Sequence, residues 1–146
     1  TVSSVWQKQR AYQTYGVDRA KALFAMMFFL DGVPMIYQGD EDPSIAGKEG
    51  PVLRAYFKAL RRQRLELTGE GDGIAFLYTG LGVMAFIREK EAFRRLVLIN
   101  LEDSAQVVAL DELSGATLSA GQAAQADNTA ALPPYGYAIF TLGTDT

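Results

Sequence analysis

The chain has 146 residues, 49% of them hydrophobic and 21% charged, and a net charge of −3. That is enough apolar material for a buried core, and the wrong sign of charge for coating a nucleic acid. It has no cysteine and no histidine, which excludes disulfides, thiolate or imidazole metal sites and Ser-His-Asp catalysis, and leaves acid–base chemistry to Asp, Glu, Tyr and Lys.

Charge is unevenly spread. Residues 1–67 hold ten Lys and Arg against seven Asp and Glu, whereas residues 68–146 hold four against ten. The balance changes at Thr68-Gly69-Glu70-Gly71-Asp72-Gly73, a glycine-rich acidic junction that divides the chain into units 1–69 and 70–146. No targeting segment is visible, and the apolar run Ala20–Leu30 is too short to span a bilayer. No membrane or nucleic-acid partner is expected, and localisation stays open.

Residues 1–15 are polar with Trp6, Tyr12 and Tyr15 interspersed. Flat amphipathic rings suit sugar faces, but here they are read as docking residues of a loop and helix start. A helix is predicted over residues 17–30, with Asp18 toward its positive end and Gly32 just past its close. From Ala22 to Leu30 nearly every residue is apolar, so the helix must be covered on several sides.

Next comes Gly32-Val33-Pro34-Met35-Ile36-Tyr37-Gln38-Gly39-Asp40-Glu41. Residues 33–37 read as a short strand buried on both faces, as in parallel sheets, with Pro34 near its start. The acids that follow Gly39 are, by spacing alone, either solvated residues of a βα loop or the rim of an α/β active site.

Pro51 opens a second helix, to Leu67, with Leu53, Tyr56, Phe57, Leu60 and Leu67 on one stripe. Arg54, Lys58, Arg61, Arg62 and Arg64 are read as its solvated face rather than as a nucleic-acid surface.

Past the junction the period falls to two. Strands are predicted at 74–78, 83–88, 96–101, 106–110, 116–119 and 136–142, with 120–131 a loop. Short strands at this spacing make an antiparallel sandwich, whose core is expected to include Phe76, Met84, Phe86, Leu96, Leu98, Ile139 and Phe140.

Four stretches together carry a family resemblance. Gly32 to Glu41 resembles the eighth barrel strand of the α-amylase family, glycoside hydrolase family 13, with its Gly-x-Pro-x-Ile-Tyr-x-Gly-x-Glu pattern. Leu60-Arg61-Arg62-Gln63-Arg64 resembles the Leu-x-x-x-Arg of the last barrel helix. Val83–Arg88 with Leu96–Asn100, and Leu132-Pro133-Pro134-Tyr135-Gly136-Tyr137, resemble the first and closing strands of the C-terminal β-domain.

The resemblance implies the last α-β-α of a (β/α)8 barrel followed by an all-β antiparallel sandwich. It also implies a parent acting on α-glucosidic bonds of starch- or sucrose-type sugars by a retaining mechanism. Tyr37, Asp40 and Glu41 would border its sugar-binding cleft. A retaining glycosidase needs two carboxyl groups about 5–5.5 Å apart across the bond, whereas Asp40, Glu41 and Asp42 are adjacent on one loop. The family's catalytic acids belong to earlier barrel strands that nothing here matches, so no catalytic residue, metal site or cofactor is assigned and the chain alone is expected to be inactive. The partner expected through the complete parent is an α-glucan or small α-glucoside. The alternative is a non-catalytic carbohydrate-binding or interaction module on the same scaffold. Deprived of its barrel, the apolar 17–30 helix is also expected to drive self-association, since each large apolar side chain is worth roughly 1.5–3 kcal/mol when buried.

Overall fold

Helix α1 (Val17–Phe29) begins after Gly16, whose carbonyl accepts from the Ala20 amide at 3.0 Å. Asp18 lies in its first turn, where a carboxylate is favoured by the dipole. It ends where Leu30 turns extended, with Gly32 left-handed at φ 100 two residues on. The computed structural model describes residues 15–32, 34, 49–68 and 72–143. Of the strand expected over 33–37 only Pro34 is among them; Tyr37, Asp40 and Glu41 lie outside, as do Trp6 and Tyr12. Tyr15 is largely exposed.

Helix α2 (Glu49–Leu67) buries the predicted stripe: Leu53, Phe57, Leu60 and Leu67 are all closed to solvent, and Tyr56 is half-buried. The Phe57 ring meets Phe24 of α1 edge-on at 4.8 Å and stacks on Phe28 at 6.2 Å. The basic face is not uniformly solvated, however. Arg64 is half-buried and reaches back to the end of α1, its Nη1 donating to the carbonyls of Phe28 at 2.6 Å and Leu30 at 3.2 Å. Its Nη2 donates to the carbonyl of Gly32. A helix C-terminus leaves its last carbonyls without intrahelical donors, and Arg64 supplies them. Burial, then the nearby Arg88, push the Arg64 pKa below its ordinary value, and Asp72 opposes this.

Eight strands follow: β1 (Gly73–Leu77), β2 (Val83–Lys90), β3 (Phe93–Asn100), β4 (Gln106–Ala109), β5 (Thr117–Gly121), β6 (Ala124–Ala126), β7 (Thr129–Leu132) and β8 (Tyr137–Thr141). A 3-10 turn, Asp111–Leu113, links β4 to β5. Among the described residues all pairings are antiparallel, in a five-stranded sheet of order β1-β2-β3-β8-β5 and a three-stranded sheet of order β4-β7-β6. The β2–β3 hairpin turns through Glu91 and Ala92, with Glu91 left-handed at φ 57.

The middle strands of the five-stranded sheet, β2, β3 and β8, are buried on both faces. Ala85, Ile87, Leu96, Leu98, Ala138 and Phe140 point to the small sheet, where Val108, Ala130 and Leu132 complete a sandwich core. Phe86, Val97, Ile99 and Ile139 point the other way and pack with Phe24, Phe29, Leu53 and Leu60 of the helices. The order of layers is therefore helices, large sheet, small sheet.

Two expectations are corrected. Phe76 is not core: it stands on edge strand β1, 62% exposed, its ring tilted against that of Phe86 at 5.7 Å between centroids. Ile74, two residues earlier on β1, packs on the helix-side core, and Phe76 does not join it. Nor is 120–131 a loop. Strand β5 runs on to Gly121, and β6 and β7 form a hairpin across Asp127 and Asn128, with Asp127 at φ 55. Its alanines and glutamines lack the apolar alternation that marks a strand, because this edge buries little.

At the junction, Arg88 is 1% exposed and its Nη2 meets Asp72 Oδ2 at 2.6 Å. Asp72 thus ties the start of the β-unit to the helix-facing side of β2.

Candidate functional site

Among the described residues one cleft, about 360 Å³, opens where the start of α1 and the middle of α2 meet the loop before β8. That volume lies in the range of small-ligand sites. Its floor and walls are aromatic. Tyr56 comes from α2, Tyr137 from β8, and Tyr135 from the Pro133–Gly136 turn.

A buried asparagine holds that turn in place. Asn100, closed to solvent at the end of β3, donates from its amide nitrogen to the carbonyls of Pro133 at 3.0 Å and Ser104 at 2.9 Å. Its Oδ1 accepts from the Glu102 amide at 2.9 Å, and its own amide donates to the Gly136 carbonyl at 2.8 Å. The Gly136 amide closes the turn onto the Pro133 carbonyl at 3.0 Å. Tyr135 is left-handed at φ 54, a conformation that costs a tyrosine of order 1–3 kcal/mol and persists only when its surroundings fix it. Here the Tyr135 amide donates to the Glu102 carbonyl at 3.1 Å. Arg19 of α1 lies over its ring at 5.5 Å and donates from Nε to its hydroxyl at 3.1 Å.

The other two tyrosines spend their hydroxyls internally. Tyr56 donates to the Lys21 carbonyl at 2.8 Å and Tyr137 to Gln63 Oε1 at 2.8 Å. Burial, then the neighbouring Tyr137, push the Tyr56 pKa far above the ordinary phenol value. Burial raises Tyr137 as well, against the Gln63 hydrogen bond. Both stay protonated at neutral pH, so neither is a general base.

The remaining wall is polar. Asp18 and Lys21 stand one turn apart on α1, with the Lys21 ammonium 5.3 Å from the Tyr56 ring centroid. Gln122 follows β5, and its backbone amide donates to the Tyr137 carbonyl at 3.0 Å. Gly121 admits this close approach, since a Cβ there would lie 2.2 Å from the same carbonyl oxygen. Chemically the cleft offers one acid, one base and one amide around aromatic surface. It lacks the facing carboxylates that glycoside cleavage needs.

None of these four side chains, Asp18, Lys21, Gln122 and Tyr135, was singled out as a site residue by the sequence. No local signal joins positions more than a hundred residues apart. Among the described residues no group of three or more His, Cys, Asp or Glu is placed to hold a metal ion, and no helix is long and apolar enough to cross a membrane.

Comparison with known proteins adds the following. The family model for the C-terminal immunoglobulin-like domain of D-apionate lactonase matches residues 81–140. No curated protein sequence matches the chain. Among solved structures, an Anoxybacillus α-amylase superposes with a TM-score of 0.71 and 25% identity, covering 93% of this chain and 35% of its own. The Nostoc punctiforme debranching enzyme gives 0.69 and 19%, covering 88% of this chain and 30% of its own. An α-glucosyl transfer enzyme gives 0.69 and 16%, over 90% and 38%. The chain thus spans about a third of the length of these enzymes.

Proposed function

We propose that this chain, whose fold is that of the C-terminal portion of α-amylase-family enzymes, is the corresponding part of a retaining glycoside hydrolase or glucanotransferase acting on α-glucosidic bonds. The observation that carries this reading is the superposition of nearly the whole chain on about one third of such enzymes. Helices α1 and α2, with the strand expected over 33–37 between them, are the last α-β-α of the catalytic barrel, and 70–146 is the domain that follows. Tyr37, Asp40 and Glu41 border the sugar-binding cleft of that parent, whose catalytic carboxylates are absent from this chain. No nucleic acid or membrane enters the reading.

Two experiments test it. The chain alone, incubated with maltooligosaccharides, releases no sugar above buffer, while the product of the complete reading frame cleaves or transfers them. Turnover by the chain alone that is lost on mutating Asp40 or Glu41 overturns the assignment of catalysis to the missing part. The chain alone also self-associates. Phe24, Phe28 and Phe29 of the 17–30 helix are already buried against α2 and the large sheet. The surface that drives it is therefore not that helix, which the sequence pointed to, but exposed apolar residues such as Val52, Leu65, Phe76 and Tyr78. Light scattering that finds a monodisperse monomer of 15.9 kDa refutes this point.

A further inference from the structure

The cleft between α1 and the loop before β8 is lined by residues from both the helices and the β-unit. Its rings are fixed before any ligand arrives: Arg19 clamps Tyr135, and the hydroxyls of Tyr56 and Tyr137 are already engaged. A ligand therefore meets aromatic surface and ring edges. The side chains of Asp18 and Gln122 are exposed, so they and the Lys21 ammonium offer an acceptor, a mixed amide and a donor around that surface.

The chemistry selects among ligand classes. An anion is disfavoured, because Asp18 offsets Lys21. A wholly apolar ligand would leave three polar side chains desolvated without partners, a costly arrangement. A neutral ring with apolar C–H faces and a rim of hydroxyls satisfies both parts of the wall, and the roughly 360 Å³ of space suits a few sugar units.

We propose that this cleft is a non-catalytic sugar-binding site. It takes the pyranose units of a neutral oligosaccharide against Tyr135, with Asp18, Lys21 and Gln122 hydrogen-bonding its hydroxyls. The choice of an α-glucan as occupant rests on the proposed function; the site itself rests on the cleft alone.

Isothermal titration of the chain with maltotriose and maltoheptaose tests the proposal, with amide NMR shifts locating the ligand. The expected result is saturable binding that moves the resonances of Lys21, Gln122 and Tyr135. Gln122→Ala keeps the backbone hydrogen bond and weakens binding about threefold to tenfold, which corresponds to roughly 0.7–1.4 kcal/mol. Tyr135→Ala weakens it more, and Tyr135→Phe, which keeps the ring, retains most of it. Should Tyr135→Ala misfold, Gln122→Ala still decides the matter. Absence of saturable binding, or binding that neither Gln122→Ala nor Asp18→Asn weakens, overturns the proposal. If the complete protein cleaves α-glucans while this chain binds none, the cleft proposal fails and the parent function stands. If the chain binds maltotriose at the cleft and the complete protein is inert, the reverse holds.

Discussion

Replacing Arg64 by methionine tests the link between the two helices most directly. The substitution keeps an apolar stem of similar reach and removes the guanidinium that donates to the carbonyls of Phe28, Leu30 and Gly32. Three hydrogen bonds at about 0.5–1.5 kcal/mol net each bracket the loss at roughly 1.5–4.5 kcal/mol. Losing a cation at the C-terminal end of α1 adds about 0.3–1 kcal/mol. Arg64 is only half-buried and the Gly32 carbonyl is exposed, so water replaces part of the loss and a value near 2 kcal/mol is expected. Urea unfolding followed by circular dichroism measures it, with Arg61→Met as the control. Arg61 is exposed on the same helix, and such a substitution changes stability by no more than about 0.5 kcal/mol. Hydrogen exchange should also quicken at the Leu30 amide, which donates to the Met26 carbonyl at 3.1 Å in the last turn of α1. Equal losses for the two variants would refute the argument that Arg64 caps α1.

Leu98→Ala, at a site closed to solvent between the sheets, should cost about 2–5 kcal/mol. Phe76→Ala, on the exposed edge, should cost well under half as much; similar values in denaturant unfolding would place the sandwich core wrongly. Stability should also fall with pH in the alkaline range. The raised Tyr56 pKa keeps its proton on the folded chain while the unfolded chain releases it above about pH 10. Its contribution is thus complete below that value and declines as pH rises toward the folded pKa. The decline is about 1.4 kcal/mol per pH unit, and Tyr56→Phe should remove it from the slope of unfolding free energy measured between pH 10 and 11.

What was legible in the sequence follows from how local each signal is. The stripe Leu53, Phe57, Leu60 and Leu67 repeats at helical spacing, and one helix face is buried as that spacing requires. The strands were legible in place but not in facing. Leu96-Val97-Leu98-Ile99 is an unbroken apolar run because helices cover one side of β3 and the small sheet the other. Alternation therefore carried no information about which core each side chain joins, and residues of two cores were expected in one. Phe76 is as apolar as a core residue, and only its place on an edge strand, beyond Ile74, leaves it outside. Arg64 looked like its basic neighbours; what distinguishes it is the end of another helix within reach.

The cleft was illegible for a stronger reason, and the same reason argues that it is preformed. Its turn is held by Asn100, whose side chain and backbone together make four hydrogen bonds, to the Pro133, Gly136 and Ser104 carbonyls and the Glu102 amide. Asn100 is fully buried at the end of β3, and such a group is costly to leave unpaired. Folding of the sandwich therefore sets the Pro133–Gly136 turn and, with it, the left-handed Tyr135. Arg19 then meets that ring only because the helices pack on the outer face of the same sheet, through Phe29 against Tyr137 at 5.2 Å. Each wall of the cleft is a by-product of a core contact. The site is consequently rigid before binding, and a ligand entering it loses little affinity to ordering the protein.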